Sequence, residues 1–203
     1  MSSSPWCPPS TGSLEQPVTR RRQPSDSGQG TRARSFETTG MVDEGLNGQA
    51  SVFLRPGDWF FGAGPHKVST MLGSCVSVVM WSPRLSLGAM CHCLLPTRPL
   101  PRAVPAMSAG HYVDEALDWM AQHFHAHHCP MRSLDIALVG GATAHDSSIG
   151  ASNVRKAQAW LDAHGVNPMQ MDVGGRVVRR LSFGLADGAL NIAHGGRLGP
   201  SEV

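Results

Sequence analysis

A mixed α/β (α+β) layer fold is the expectation for this sequence. Three observations carry it: short β-prone apolar runs are ended by Gly, Pro or Asp-Gly turns, two stretches carry apolar residues at helical spacing, and these two lie between strands rather than apart from them. The 203 residues are 41% hydrophobic and 16% charged, with 23 glycines and 15 prolines. That is the composition of a compact domain with many turns and at least one unstructured stretch, and it excludes a wholly disordered chain.

Residues 1–47 are rich in Ser, Pro, Gly, Thr and Arg and have no apolar period, so they read as a loosely attached tail, its Arg20-Arg21-Arg22 run a solvated charge cluster. The folded domain is expected over 48–193, with a C-terminal tail at 194–203. Order begins at Ser51-Val-Phe-Leu, halted by the turn Arg55-Pro-Gly-Asp58 and followed by Trp59-Phe-Phe61. Two apolar runs flank Gly73, and the second, Cys75 to Trp81, reads as a buried strand with Cys75 at its entrance. Leu87 to Leu95 is a third strand, with His92 inside it, and Pro96 to Pro105 a surface loop, because proline cannot continue a ladder.

Between His111 and His128, the residues Val113, Ala116, Leu117, Met120 and Phe124 share one helical face. Asp114 and Glu115 stand early and histidines late, as the helix dipole prefers. Leu134 to Val139 is a buried strand running into Gly140-Gly141. Ser152 to Gly165 is a second helix, with Val154, Ala157, Trp160 and Leu161 on one face and a glycine at its C-terminus. Three short strands, Met169–Val173, Val177–Phe183 and Ala189–Ile192, close the domain, giving six or seven strands and two helices.

Composition also removes several classes of function. Lys and Arg number 17 against 15 Asp and Glu, an excess too small for the basic stripe of a nucleic-acid binder. No segment is long and apolar enough to insert in a bilayer, and the N-terminus lacks the pattern of a secretion signal, so a cytoplasmic protein is expected. Five scattered cysteines, an odd number, argue for reduced thiols rather than a disulfide scaffold.

One of those thiols occupies an unusual corner. Gly73 lets the backbone turn sharply and approach a ligand just before Cys75 enters a buried strand. A thiol acts as a nucleophile once a neighbouring histidine takes its proton, and His92, in the following strand, can share a face with it. Read from the residues alone, a small core residue is the commoner fate of a thiol such as Cys75, and His92 also fits a hydrogen-bonded core histidine. Ser69 or Thr70, on the strand before the glycine, could orient the imidazole, and period-two counting does not say which points inward. Cys91-His92-Cys93 puts only its two cysteines on one side and has no second ligand pair, while His123 and His127 are spaced to chelate but lack an acidic partner, so no metal is expected. Gly140-Gly141 and Gly174-Gly175 are too short for phosphate-binding fingerprints and read as turns.

The run Ser69-Thr-Met-Leu-Gly-Ser-Cys-Val-Ser-Val, followed by Gly88-Ala-Met-Cys-His-Cys-Leu-Leu-Pro96, resembles the CheD family of chemoreceptor glutamine deamidases. Gly140-Gly-Ala142, Ile149-Gly-Ala-Ser-Asn-Val154, Asp172-Val-Gly-Gly175, Arg179-Arg180 and Asp187-Gly188 follow in the family's order, so the likeness spans roughly Ser51 to Ile192. The resemblance implies a layered sandwich of mixed β-sheets with helices on the outside, similar to the cytotoxic necrotising factor deamidase toxins. It implies Cys75 as nucleophile, His92 as general base and acid, and the hydroxyl of Ser69 as third member, with Thr70 as the alternative. It also implies methyl-accepting chemotaxis receptors as substrates and CheC-type phosphatases as partners, and it needs neither cofactor nor metal.

The implied chemistry is attack of the Cys75 thiolate on a glutamine carboxamide, loss of ammonia with a proton from His92, and hydrolysis of the thioester to glutamate. The backbone N–H groups of Ser74 and Cys75 are the expected oxyanion donors. A γ-glutamyl methyl ester would pass through the same thioester. Two rivals remain, an adaptor with little catalysis and a different thiol amidohydrolase.

Overall fold

The computed structural model describes residues 36–99, 109–143 and 148–198. Cys7, the arginine run and the part of the proline-rich loop from 100 to 105 lie outside these residues. Eleven strands and two α-helices follow one another along the described chain. Strands β1 (Phe36–Thr38), β2 (Met41–Glu44), β3 (Ala50–Phe53), β4 (Trp59–Ala63), β5 (Lys67–Leu72), β6 (Val76–Ser82) and β7 (Leu87–Cys91) precede helix α1 (Val113–Ala126). Then come β8 (Asp135–Gly140), helix α2 (Ile149–Ala163), β9 (Gln170–Val173), β10 (Val177–Gly184) and β11 (Leu190–Arg197).

The strands form two mixed sheets, in the orders β1-β4-β7-β6-β8-β9 and β11-β10-β5-β3-β2. Pairing is antiparallel except for β8 with β9 and β3 with β5. One apolar core lies between the two sheets, where Val52, Leu54, Phe60, Val68, Leu72, Val79, Met90, Val139, Leu181 and Phe183 meet. A second lies between the six-stranded sheet and the helices, where Val78, Met80, Ile136 and Leu138 meet Leu117, Met120, Phe124, Ala157 and Leu161. The six-stranded sheet is therefore covered on both faces, which is why β6 and β8 read as continuous apolar runs. Strand β5 instead alternates, with Val68, Thr70 and Leu72 buried and Lys67 and Met71 exposed, the signature of a sheet with one open face.

The helices bury the faces their spacing predicts. Val113, Ala116, Leu117, Met120 and Phe124 of α1 are buried, and so are Val154, Ala157, Trp160 and Leu161 of α2. Each large side chain among them contributes about 1.5–3 kcal/mol by leaving water. Trp160 also donates its indole N–H to Asp118 at 2.7 Å, tying the two helices together.

The sequence expectation falls short in strand count and boundaries. Strands β1 and β2 lie inside the stretch expected to be tail, and β11 runs through the expected boundary at 193 to Arg197. Three- and four-residue edge strands carry no readable alternation, and their place is set by their neighbours. Phe36 pairs opposite Gly62, and Met41 opposite Phe53. Among the described residues no helix is long and apolar enough to cross a membrane.

Candidate active site

At one end of the inter-sheet cleft, polar side chains replace the apolar packing. Register explains how they meet. Val76 bridges Cys93, and Val79 pairs with Met90, so one antiparallel register places Cys75 opposite Leu94 and Ser77 opposite His92. Cys75, Ser77 and His92 thus share the face turned toward the five-stranded sheet, with Cys75 and His92 as diagonal neighbours across the ladder. From the opposite sheet Thr70 of β5 projects into the same space.

His92 lies just after β7 ends, in an interruption of the ladder, rather than inside a continuous strand. Its N–H donates to the Asp58 carbonyl at 3.0 Å and its own carbonyl accepts from Gly57 at 2.8 Å, so the turn Arg55-Pro-Gly-Asp58 fixes its backbone. Asp58 holds that turn closed by accepting from the Arg55 N–H at 2.9 Å and its guanidinium at 3.0 Å.

The imidazole is held on one side only. Nδ1 lies 2.7 Å from Thr70 Oγ1 and 3.2 Å from the Leu54 carbonyl, and the Thr70 hydroxyl donates to that same carbonyl at 2.7 Å. With the hydroxyl proton spent on Leu54, Thr70 Oγ1 accepts from Nδ1–H. Nε2 then carries the bare lone pair, which has no hydrogen-bond partner among the described residues although His92 is only 3% exposed.

Cys75 sits in a turn whose three successive carbonyls are all held. Ala142 N–H donates to the Gly73 carbonyl at 2.9 Å and Gly141 N–H to the Cys75 carbonyl at 2.7 Å, while the Asn153 amide donates to the Ser74 carbonyl at 3.1 Å. The Ser74 and Cys75 N–H groups donate to no other described residue. Cys75 is partly exposed, whereas Cys91, Cys93 and Cys129 are buried.

Burial dominates the electrostatics of both groups. It lowers the His92 pKa below its usual value, partly opposed by the Leu54 carbonyl and the Asp58 charge. It raises the Cys75 pKa, partly opposed by the residue's own backbone N–H. Thiol and imidazole therefore both rest neutral at pH 7.

A family profile described as CheD chemotactic sensory transduction matches residues 94–194. A probable chemoreceptor glutamine deamidase of Maridesulfovibrio salexigens is 40% identical over 143 residues, covering 65% of this chain and 84% of that protein. The chain belongs to the CheD family. A second CheD of this kind, from Chromobacterium violaceum, is 33% identical over 147 residues, 68% of this chain and 74% of its own length. A third, from Pseudomonas syringae pv. tomato, is 33% identical over 155 residues, 72% and 90% respectively. The two mixed sheets flanked by helices are the layered sandwich that the CheD resemblance implies.

Within this CheD-family fold, Thr70 rather than Ser69 meets His92. Neighbouring strand residues face opposite ways, and Ser69 turns from the cleft, its hydroxyl 3.4 Å from the Val52 carbonyl. Cys91 and Cys93 share the helix-facing side as period two requires. His123 and His127 direct Nδ1 to the Trp119 and His123 carbonyls and pack on Phe61, and among the described residues no group of three or more His, Cys, Asp or Glu is placed to hold a metal. Gly140-Gly141, read only as a turn, is the wall against which the Cys75 backbone rests. Sequence reasoning missed the Leu54 carbonyl, which no residue type advertises. It also missed Ser77, whose buried hydroxyl has no partner among the described residues and which counting by two from Cys75 would have placed opposite His92.

Proposed function

We propose that this protein is a cysteine-dependent deamidase that converts glutamines of methyl-accepting chemotaxis receptors to glutamate in the cytoplasm. The observation that carries the reading is the relay from Nδ1–H through Thr70 to the Leu54 carbonyl, which leaves Nε2 bare on the same cleft face as a partly exposed thiol. Receptor glutamines enter as substrates because the relatives bear the name chemoreceptor glutamine deamidase.

In this mechanism Nε2 accepts the Cys75 proton as sulfur bonds to the carboxamide carbon, the pair tightening as substrate docks, since catalytic hydrogen bonds in resting enzymes are often loose. The oxygen that gains charge is met by the unspent N–H groups of Ser74 and Cys75. His92 returns the proton to nitrogen, the C–N bond breaks, and ammonia leaves behind a thioester. Water, deprotonated by Nε2, then bonds to the same carbon, the C–S bond breaks, and the proton returns to sulfur.

Mass spectrometry of a receptor cytoplasmic fragment incubated with the protein tests the reading. A gain of about one dalton at glutamine is expected, from exchange of nitrogen for oxygen through the thioester. Backbone cleavage would mean a different thiol hydrolase. Undiminished binding of the receptor or of a CheC-type phosphatase with no mass change would mean an adaptor. Because burial lowers the His92 pKa and raises that of Cys75, kcat/KM should fall only on the acid side of about pH 6.5 and stay level past about pH 8.5. The sign for stability agrees: the His92 contribution is fully present above its unfolded pKa and is lost as pH falls through the lower folded one.

Thr70→Val keeps the shape of the side chain and removes the relay. Deamidation should drop about tenfold to a hundredfold, the worth of one hydrogen bond to a group that becomes charged. Ser69→Ala should change turnover less than about twofold and stability by less than about 0.5 kcal/mol. Equal losses from the two variants would reject the assignment of Thr70.

A further inference from the structure

Asn153 belongs to the Ile149-Gly-Ala-Ser-Asn-Val154 segment, to which the mechanism so far gives no part. It stands on the second turn of α2 and is completely buried. Both hydrogens of its amide are spent, one on the Ser74 carbonyl at 3.1 Å and one on the Leu94 carbonyl at 2.9 Å. Ser74 precedes the thiol, and Leu94 lies opposite it, two residues beyond His92. A single amide thus spans the nucleophile's turn and the strand that carries the imidazole.

The Ser74 carbonyl and the Cys75 N–H belong to one planar peptide unit, and in a trans peptide they point in opposite directions. Whatever holds the carbonyl aims the N–H. The same logic applies one residue earlier, where Ala142 holds the Gly73 carbonyl and so turns the Ser74 N–H the other way. For the peptide that ends in Cys75, the one holder among the described residues is Asn153. Its Oδ1 is buried with no partner among the described residues. An unpaired buried acceptor is a cost to the fold, so a purely structural account of this side chain explains only half of it.

We propose that Asn153 is a positioning residue: by gripping the Ser74 and Leu94 carbonyls it sets the Ser74–Cys75 peptide so that the Cys75 N–H faces the reacting carbonyl oxygen. The proposal rests on the deamidase reading for its catalytic consequence, but its geometric core concerns Cys75 alone. An N–H aimed this way also supports the thiolate of its own residue, consistent with the backbone contribution that opposes burial at Cys75.

The test uses the full chain and Asn153→Leu, which keeps much of the volume and the helix propensity but has no donor. Asn153→Ala and Asn153→Ser, the latter retaining one donor, repeat the comparison if the leucine variant does not fold. Leu161→Ala, which loosens the packing of α2 about two turns beyond Asn153, is the control. Two quantities are read: kcat and KM on a receptor fragment, and the pH midpoint of Cys75 alkylation by iodoacetamide, followed at the Cys75 peptide by mass spectrometry.

Asn153→Leu should lower kcat about a hundredfold, the effect of a displacement of roughly 1 Å, while KM stays within about threefold. The alkylation midpoint should rise by at least about half a unit. Leu161→Ala should move neither beyond its loss of folded protein. Unchanged kcat and midpoint in a folded Asn153 variant, or the same losses in Leu161→Ala at matched melting temperature, would overturn the proposal. Alkylation needs no receptor. A shifted midpoint in an enzyme that never deamidates would therefore sink the deamidase reading and leave the positioning role standing, whereas active wild type with both readouts unmoved by the variant would sink the positioning role alone.

Discussion

Replacing Cys75 by alanine is expected to lower deamidation at least about a thousandfold, to the level at which binding and oxyanion donors act without a nucleophile. The other cysteines of the described chain cannot substitute, because Cys91, Cys93 and Cys129 are buried, the first two on the helix-facing side of the sheet. Cys75 is partly exposed and its thiol accepts no hydrogen bond that holds the turn, so the melting temperature should move by only a few degrees. Any hydrolysis of a γ-glutamyl methyl ester should fall in parallel, since an ester would pass through the same thioester. Rates would be compared on one receptor fragment under conditions in which both proteins are folded by circular dichroism. Turnover of either substrate that survives Cys75→Ala would place that chemistry at another centre.

How much of this site was legible beforehand follows from what kind of signal each part leaves. Cys75 and His92 are chemically distinctive residues set beside a glycine corner and a proline-ended strand, and their shared face follows from alternation across one ladder. The faces of α1 and α2 were readable because their apolar residues repeat over three to four turns. The choice between Ser69 and Thr70 turns on which side of β5 faces the other sheet; Val68 and Leu72 mark that side and Lys67 the open one, but Met71, apolar yet exposed, blurs the alternation in the sequence. The Leu54 carbonyl that completes the relay is a backbone atom with no sequence signature. Asn153 reaches Ser74 across 79 residues of chain, a contact that only the packing of α2 on the sheet end creates.

Gly140→Ala should damage both the fold and the chemistry, and the two effects can be separated. Gly140 has φ +109°, and a Cβ added there would stand 2.3 Å from the Cys75 carbonyl oxygen, closer than such atoms approach. Positive φ alone costs roughly 1–3 kcal/mol for a residue with a side chain. The clash adds a displacement, because the atom in the way is backbone and cannot rotate aside. That carbonyl accepts from Gly141, so moving it shifts Cys75 relative to His92, and in the proposed mechanism a shift of about 1 Å costs about a hundredfold in rate. Gly165 supplies the contrast. It also has positive φ, +64°, but nothing lies within 4 Å of its Cβ position, and it follows the far end of α2. Gly165→Ala should therefore lower stability by about 1–2 kcal/mol with kcat unchanged. Chemical denaturation and turnover measured on both variants decide the matter: if Gly140→Ala loses stability but keeps its rate, the Gly140-Gly141 wall supports the fold without holding the thiol in register.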